Sequence, residues 1–368
     1  MSERAYYSDA TTTRFAGVVV ETTEHDGRPA VRLATTYFYP TSGGQPHDTG
    51  QMRQGDRAAR VVDVVVRESD DAVLHVLDSP LARGEVAAEI DWPRRFDHMQ
   101  HHTGQHVLSQ AFIRVAAAET VSFHLSGQSV TIDLDRADLT AEEVRAAETL
   151  ANEVVAQNRP VRARQVTLDE AATLPLRKRP PGRDGYLRLV DIDDFDLTAC
   201  GGTHVAGTAE VGPIKVLKTE RRGPTTRVEF VCGGRAVADY RLKHDVTQQL
   251  GAALTTGLGD LAAALARLQE EARQLRLELK RERGARLALE AGQLLAAAEA
   301  AGGARLVRRV FAGREVEELR QLANLIAGDA SAAGVIVLLG LAGERAQLVF
   351  VRSAGGPNVA MGDLIKPA

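Results

Sequence analysis

Two short stretches, His102-Thr103-Gly104-Gln105-His106 and, about a hundred residues later, Cys200-Gly201-Gly202-Thr203-His204, set the reading of this 368-residue chain. Ten histidines are spread over the sequence, yet His98, His101, His102, His106 and His124 fall within 27 residues of one another. Around His102 the pattern predicts a helix over 98–117. Residues four apart in a helix lie about 40° apart on one face. Val107, Leu108, Ala111 and Val115 then form the core stripe roughly on the other side, so the pair His102 and His106 is expected to point off the core face. Gly201 and Gly202 suit a loop that folds a thiolate and an imidazole toward one point, because glycine reaches backbone conformations closed to other residues. Three imidazoles and one thiolate are the donor set that Zn2+ prefers. A closed tetrahedral zinc that only staples the fold uses the same donors, and the spacing leaves that alternative open. Between His102 and His106 there is no glutamate of the His-Glu-x-x-His type, so the general base of a zinc peptidase is missing from its usual place.

Outward from these motifs the sequence divides into blocks. From Phe15 to Ile90, stretches rich in β-branched residues (15–20, 30–33 and 60–66) alternate with turns at Asp26-Gly27, Gly43-Gly44, Gln54-Gly55-Asp56 and Arg83-Gly84, which predicts a small barrel. After Pro93 come the histidine helix, a strand over 129–134, and a helix over about 140–158 with Thr140-Ala141-Glu142-Glu143 as its capping box. Residues 186–231 return to strands. Leu258, Leu261, Leu265, Leu268, Ala272, Leu275 and Leu279 are spaced alternately three and four apart, an a/d seam of a helical hairpin or coiled-coil arm, read as packing. Ala301-Gly302-Gly303 ends it. A helix over 315–326 and strands over 335–339 and 347–352 follow. The expected fold is α+β and multidomain, with boundaries at 1–90, 91–235, 236–300 and 301–368.

Composition excludes little by itself. The chain carries 45 Lys and Arg against 49 Asp and Glu, a net charge of −4, and is 44% hydrophobic and 26% charged, as ordinary globular proteins are. No apolar run reaches about 18 residues and the first residues lack a signal-peptide core, so a cytoplasmic protein is expected. Cys200 and Cys232 cannot make a disulfide framework. The first 158 residues hold 14 basic and 24 acidic side chains, whereas residues 159–227 hold 13 and 9. A mean charge that points away from nucleic acid conceals a basic middle segment.

Taken together, the two motifs, with Gly212-Pro213-Ile214-Lys215 and Thr226-Arg227-Val228-Glu229-Phe230, resemble the editing domain of alanyl-tRNA synthetase and of its free-standing relatives, the AlaX trans-editing proteins. The run from Phe38 to Pro46, with Asp48-Thr49-Gly50, matches the glycine-rich loop of that family's N-terminal barrel. Ser122-Phe123-His124 and Thr131-Ile132-Asp133 match the free-standing members. In outline the resemblance covers the whole chain and implies the long form. Its layout is a translation-type β-barrel, a zinc-containing α+β editing domain, a helical coiled-coil arm and a small α/β C-terminal domain shared with alanyl-tRNA synthetase and DHH phosphoesterases. Relatives usually carry a further glycine-rich tail beyond Val359 to Lys366, so that last domain is expected to be incomplete. No Asp-His-His cluster supports a phosphoesterase.

The resemblance implies that His102, His106, Cys200 and His204 hold one Zn2+ per chain and that the protein hydrolyses Ser-tRNA(Ala), with Gly-tRNA(Ala) a second candidate. No residue is assigned as catalytic beyond a metal-associated water. Thr103, Gln105, Ser122, His124, Gly201 and Gly202 are candidates for substrate contacts. Candidates for tRNA contacts are Gly43, Gly44 and Gln45 in the barrel loop and Lys215, Lys218, Arg221, Arg222 and Arg227 after the Cys/His loop. A second basic cluster is Arg177, Lys178, Arg179 and Arg183 around Pro180-Pro181-Gly182. Arginine and lysine would position a polynucleotide through its phosphates without reading its sequence. Tying the chain to a homodimer through the C-terminal helices is a further expectation. An aminoacylation domain has no room, so a complete alanine–tRNA ligase is not expected. The alternative function is a non-catalytic tRNA-binding module with a structural zinc.

Overall fold

The computed structural model describes residues 2–127, 129–178, 185–342, 346–355 and 360–362. Arg179, Pro180, Pro181, Gly182 and Arg183 of the second basic cluster, and most of the stretch Val359 to Lys366, lie outside the described residues.

The β-branched blocks near the N-terminus form β1 (Glu3–Arg4), β2 (Arg14–His25), β3 (Arg28–Leu33), β4 (Thr35–Thr36), β5 (Gly50–Gln54), β6 (Arg57–Arg67), β7 (Ala72–Leu77) and β8 (Gly84–Ile90). Six of them close a barrel in the order β2-β3-β7-β6-β5-β8, as the sequence led us to expect. The two-residue turn between β2 and β3 is Asp26-Gly27, both at positive φ (49° and 74°), the geometry that matches the twist of a tight hairpin. Val19, Leu33, Met52, Val61, Val64, Val73, Leu77 and Val86 fill the interior.

Helix α1 (Trp92–Ala116) begins six residues earlier than the expected His98. Pro93 was read as a boundary, but proline fits the first helical turn, where its missing N–H has no partner to lose. Asp91 caps the end by accepting from the Arg94 backbone N–H at 3.4 Å. Asp48, from the glycine-rich loop, clamps this turn to the barrel. Its carboxylate bonds the guanidinium of Arg95, both side chains are fully buried, and Oδ2 also accepts from the Tyr39 backbone N–H at 2.6 Å.

Beyond α1 follow β9 (Thr120–Leu125), β10 (Val130–Leu134), α2 (Ala141–Ala156), β11 (Val161–Thr167), α3 (Leu168–Thr173), β12 (Tyr186–Ile192), β13 (Asp196–Ala199), β14 (Ile214–Arg222) and β15 (Thr225–Cys232). Thr140 and Glu143 make the reciprocal capping box of α2. One sheet runs β14-β15-β10-β9 and a second β11-β12-β13, all antiparallel. Helices α1 and α2 cover the first sheet through Met99, Val107, Leu108, Phe112, Val154, Ile132, Val228 and Phe230.

A second compact unit starts at Thr247, within α4 (Gly233–Leu254). It holds α5 (Leu261–Ala296), β16 (Glu299–Ala301), β17 (Ala304–Ala312), α6 (Val316–Gly328), β18 (Val335–Ala342) and β19 (Gln347–Arg352). The sheet order is β16-β17-β18-β19, with β17 and β18 parallel. Leu287, Leu295, Leu319, Leu322, Ile326, Val335 and Val337 form its core. Within the single chain the leucine seam is largely open. Leu265, Leu268, Leu275 and Leu279 are about half exposed (49%, 50%, 57% and 51%), and only the C-terminal end of α5 is buried against α6 and the sheet.

Candidate metal centre

Helix α1 is buried nearly all round from His98 to Ser109, so the His102 and His106 pair does not face solvent. It faces a second buried surface, made by the loop after β13 and by the barrel's glycine-rich loop. His102 Nε2 and His204 Nε2 each lie 3.3 Å from Cys200 Sγ. The three imidazole centroids are 5.4, 4.6 and 4.7 Å apart, and one donor atom from each of His102, His106, Cys200 and His204 lies within 4.8 Å of the others. Tetrahedral zinc with N and S ligands places donors roughly 3.3–3.6 Å apart. This group could hold a metal.

Each ring is turned by a partner on its outer nitrogen. Gln45 Oε1 accepts from His102 Nδ1 at 2.8 Å, Thr103 Oγ1 lies 3.1 Å from His204 Nδ1, and Asp196 Oδ2 lies 3.3 Å from His106 Nδ1. With Nδ1 held outward, Nε2 is left to the centre, the arrangement in which ligating histidines are oriented and made more basic. Asp196 is itself gripped by Arg177, at 2.6 and 3.0 Å. Burial pushes the Cys200 thiol up, but His102, His204 and His106 around it reverse this and hold it well below the usual thiol range. Burial brings His204 down to about 3. It works against His106 too, where Cys200 and Asp196 prevail and raise the imidazole. The Cys200 thiolate and the neutral His204 imidazole are in the states that a metal ligand requires, whereas the raised His106 would have to release its proton to a bound metal.

The glycines act differently from the expectation. Neither Gly201 nor Gly202 has positive φ. Gly202 is needed for space, because a Cβ there would stand 2.1 Å from His102 Cε1 and 2.3 Å from its Nδ1. At Gly201 a Cβ would meet nothing closer than Tyr7, at 3.9 Å.

The remaining candidates separate. Thr103 serves the centre from outside, holding His204 and accepting from the Val205 backbone N–H at 3.2 Å. Gln105 turns to Ser109 (2.7 Å), which bonds Thr120. Ser122 and His124 stand on the exposed side of β9, with Ser122 bonded to Asp133 at 2.6 Å; Phe123 between them is the residue whose ring lies on His102, 5.2 Å between centroids. Gly43 is exposed. Gly44 (φ 83°) presses against Phe123, and its carbonyl accepts from Leu125. Gln45 is fully buried and belongs to the centre rather than to an outer surface. Among the basic candidates, Lys215 pairs with Glu148, Lys218 and Arg222 with Glu220, and Arg227 with Asp133, while Arg221 bonds the Gly223 carbonyl. Sequence reasoning missed Asp196, Arg177 as its clamp, Phe123 and the true place of Gln45. Only Gln45 and Phe123 lie inside motifs that the sequence marks out.

Residues 187–229 match the family described as the threonyl and alanyl tRNA synthetase second additional domain. Among curated proteins, the alanine–tRNA ligase of Pyrococcus furiosus is 31% identical over 97% of this chain and 38% of its own length. The alanyl-tRNA editing protein Aarsd1 of Danio rerio is 34% identical over 67% of this chain and 59% of its own. The alanyl-tRNA editing protein AlaX-L of Pyrococcus horikoshii is 30% identical over 79% of this chain and 74% of its own. By sequence the chain is similar both to alanine–tRNA ligases, over part of their length, and to free-standing alanyl-tRNA editing proteins. The chain belongs to the AlaX-type alanyl-tRNA editing proteins related to alanine–tRNA ligase. It spans about two fifths of the matched ligase. Among the described residues no helix is long and apolar enough to cross a membrane.

Proposed function

We propose that the protein is a cytoplasmic trans-editing hydrolase that deacylates tRNA(Ala) mischarged with serine, and secondarily with glycine, at a single zinc held by His102, His106, Cys200 and His204. One observation carries this reading: four N/S donors converge while Gln45, Thr103 and Asp196 hold the three imidazoles from behind. Bound zinc would supply Lewis acidity toward the ester carbonyl and lower the pKa of water. The chain's own residues do the rest. Phe123 walls His102, Gly202 lets the Cys200 loop close on the ring, and burial of His102, His106 and His204 limits the entry of bulk water, with Cys200 half-buried at the edge. A pocket built for alanine rejects serine or glycine poorly by contacts alone, so a second hydrolytic site is the remedy such discrimination needs. In this reading residues 1–90 form the barrel, 91–235 the editing domain, 236–300 an arm that pairs with a second copy, and 301–368 the C-terminal domain.

A closed set of four protein ligands also favours the alternative, a tRNA-binding module whose zinc is structural, because catalytic zinc usually keeps one position open. Serine release from purified Ser-tRNA(Ala) separates them. The intact, zinc-loaded protein is expected to release serine and His106→Ala to release none while still binding tRNA. A folded, zinc-loaded intact protein that releases no serine would leave the module reading.

A further inference from the structure

Beside the Cys200 loop lies a groove of about 560 Å³, lined by the N-terminal segment (Ser2 to Ser8), Asp71, and the facing strands β11 and β12 through Ala163, Arg164, Gln165 and Arg188. Its volume is within the range of sites that take a small ligand, roughly 300–1,000 Å³. Two contacts join it to the metal centre. Arg188 Nη1 donates to the Cys200 carbonyl at 2.7 Å, and a Cβ at Gly201 would stand 3.9 Å from the Tyr7 ring.

The charge in the groove is uneven. Arg4 is neutralised by Asp71 at 2.8 Å and donates to the Tyr7 hydroxyl. Arg188 bonds only carbonyls, those of Tyr7 (3.1 Å) and Cys200, and its guanidinium lies 5.4 Å from the Tyr7 ring centroid; among the described residues no carboxylate pairs with it. A largely buried guanidinium with no carboxylate beside it among the described residues, facing a groove next to an aromatic ring, is a site for an oxyanion that offers two oxygens, such as a phosphate diester. Resting on the hydrolase reading above, we propose that this groove holds a backbone phosphate of the polynucleotide at its aminoacylated 3′ end, with the neighbouring base against Tyr7. The ester then reaches the centre past Cys200 and Gly201.

Gln165 makes the test possible without breaking the Arg188 bonds. It is exposed on β11, the edge strand of its sheet, and stands directly across from Arg188 in the β11–β12 register. Directly paired residues have their Cβ atoms about 5 Å apart. Gln165→Glu therefore sets a carboxylate beside the guanidinium, and Gln165→Lys adds a second cation. Using the full zinc-loaded chain at fixed low salt, the Kd for uncharged tRNA(Ala) and the KM for Ser-tRNA(Ala) are measured. Gln165→Glu is expected to raise both about fivefold and Gln165→Lys to lower both by a similar factor. Ala87→Glu, an equal charge change on the exposed barrel surface, is expected to change them less than twofold. Equal shifts in Gln165→Glu and Ala87→Glu, or no opposite response to Gln165→Lys, overturn the groove. If serine is never released while tRNA binding follows the charge at position 165, the groove stands and the hydrolase reading falls. Serine release with both constants blind to position 165 removes the groove alone.

Discussion

Gln45 Oε1 accepts a hydrogen bond from His102 Nδ1 at 2.8 Å, so a residue of the barrel's glycine-rich loop orients an imidazole of the His/Cys centre. The same oxygen accepts from the Thr203 backbone N–H at 3.1 Å, and the amide nitrogen donates to Thr203 Oγ1 at 2.8 Å. One fully buried carboxamide thus ties the barrel, α1 and the Cys200 loop together. Partners behind a metal ligand are worth roughly 10–100-fold in affinity when removed. Gln45→Ala is expected to weaken zinc binding by about that factor, read by competition with a chromophoric chelator. Gln45→Glu keeps the acceptor for His102 and should lose less. Equal affinity in Gln45→Ala and the parent would show that the barrel does not complete the centre.

Asp196 holds His106 and is held by Arg177. Burial raises its carboxyl, but His106 and Arg177 keep it below the usual carboxylate range. Asp196→Asn leaves the volume unchanged while removing the charge that faces His106 Nδ1 and Arg177. The expected result is zinc binding weakened about tenfold or more, with a tighter-than-expected zinc affinity in the same competition assay counting against it.

At Gly202 the limit is steric. An added methyl would overlap the His102 ring at 2.1 Å, so either the ring or the loop must move. Overpacking of this kind costs typically about 1–3 kcal/mol. Gly202→Ala is expected to lower the unfolding midpoint and reduce zinc content together, whereas Gly201→Ala, with its open surroundings, should do neither. Thermal unfolding of the two variants alongside metal analysis checks this.

His75 provides a pH signature away from the His/Cys centre. It is fully buried in the barrel between Thr36 Oγ1 (2.7 Å) and the Val31 carbonyl (3.1 Å), and burial brings it down to about 4. An imidazole whose folded pKa lies below its unfolded value of about 6.5 favours the folded state when neutral. Its contribution is complete above about pH 6.5 and is lost as the pH falls toward 4. Between pH 7.5 and 4.5 the parent should therefore lose about 2–3 kcal/mol more stability than His75→Gln. Denaturant unfolding at the two pH values gives that difference; parallel losses in both proteins would assign the acid sensitivity elsewhere.

Much of the architecture was legible in one dimension because its signals are local. The barrel followed from β-branched runs and from turns such as Asp26-Gly27, and α2 from Thr140 and Glu143 meeting three residues apart. The four donors followed from residue type and spacing, His102 with His106 and Cys200 with His204. Pro93 misled about where α1 starts, since a proline that ends one helix also opens another. The leucine seam of α5 was read as packing from its period alone, yet a period cannot say whether a partner lies opposite.

By itself the sequence determined which atoms could bind a metal, and that they come in two pairs on a helix and a glycine loop. Tertiary structure alone decided what stands behind them: Gln45 from the barrel, Asp196 from β13, and Phe123 rather than Ser122 or His124 from β9. The physical reason is range. Helix and hairpin rules act over a few residues, whereas a buried hydrogen bond between residues 57 apart, such as Gln45 to His102, is set by how barrel and helix pack, which the Asp48 and Arg95 clamp fixes and no local pattern records.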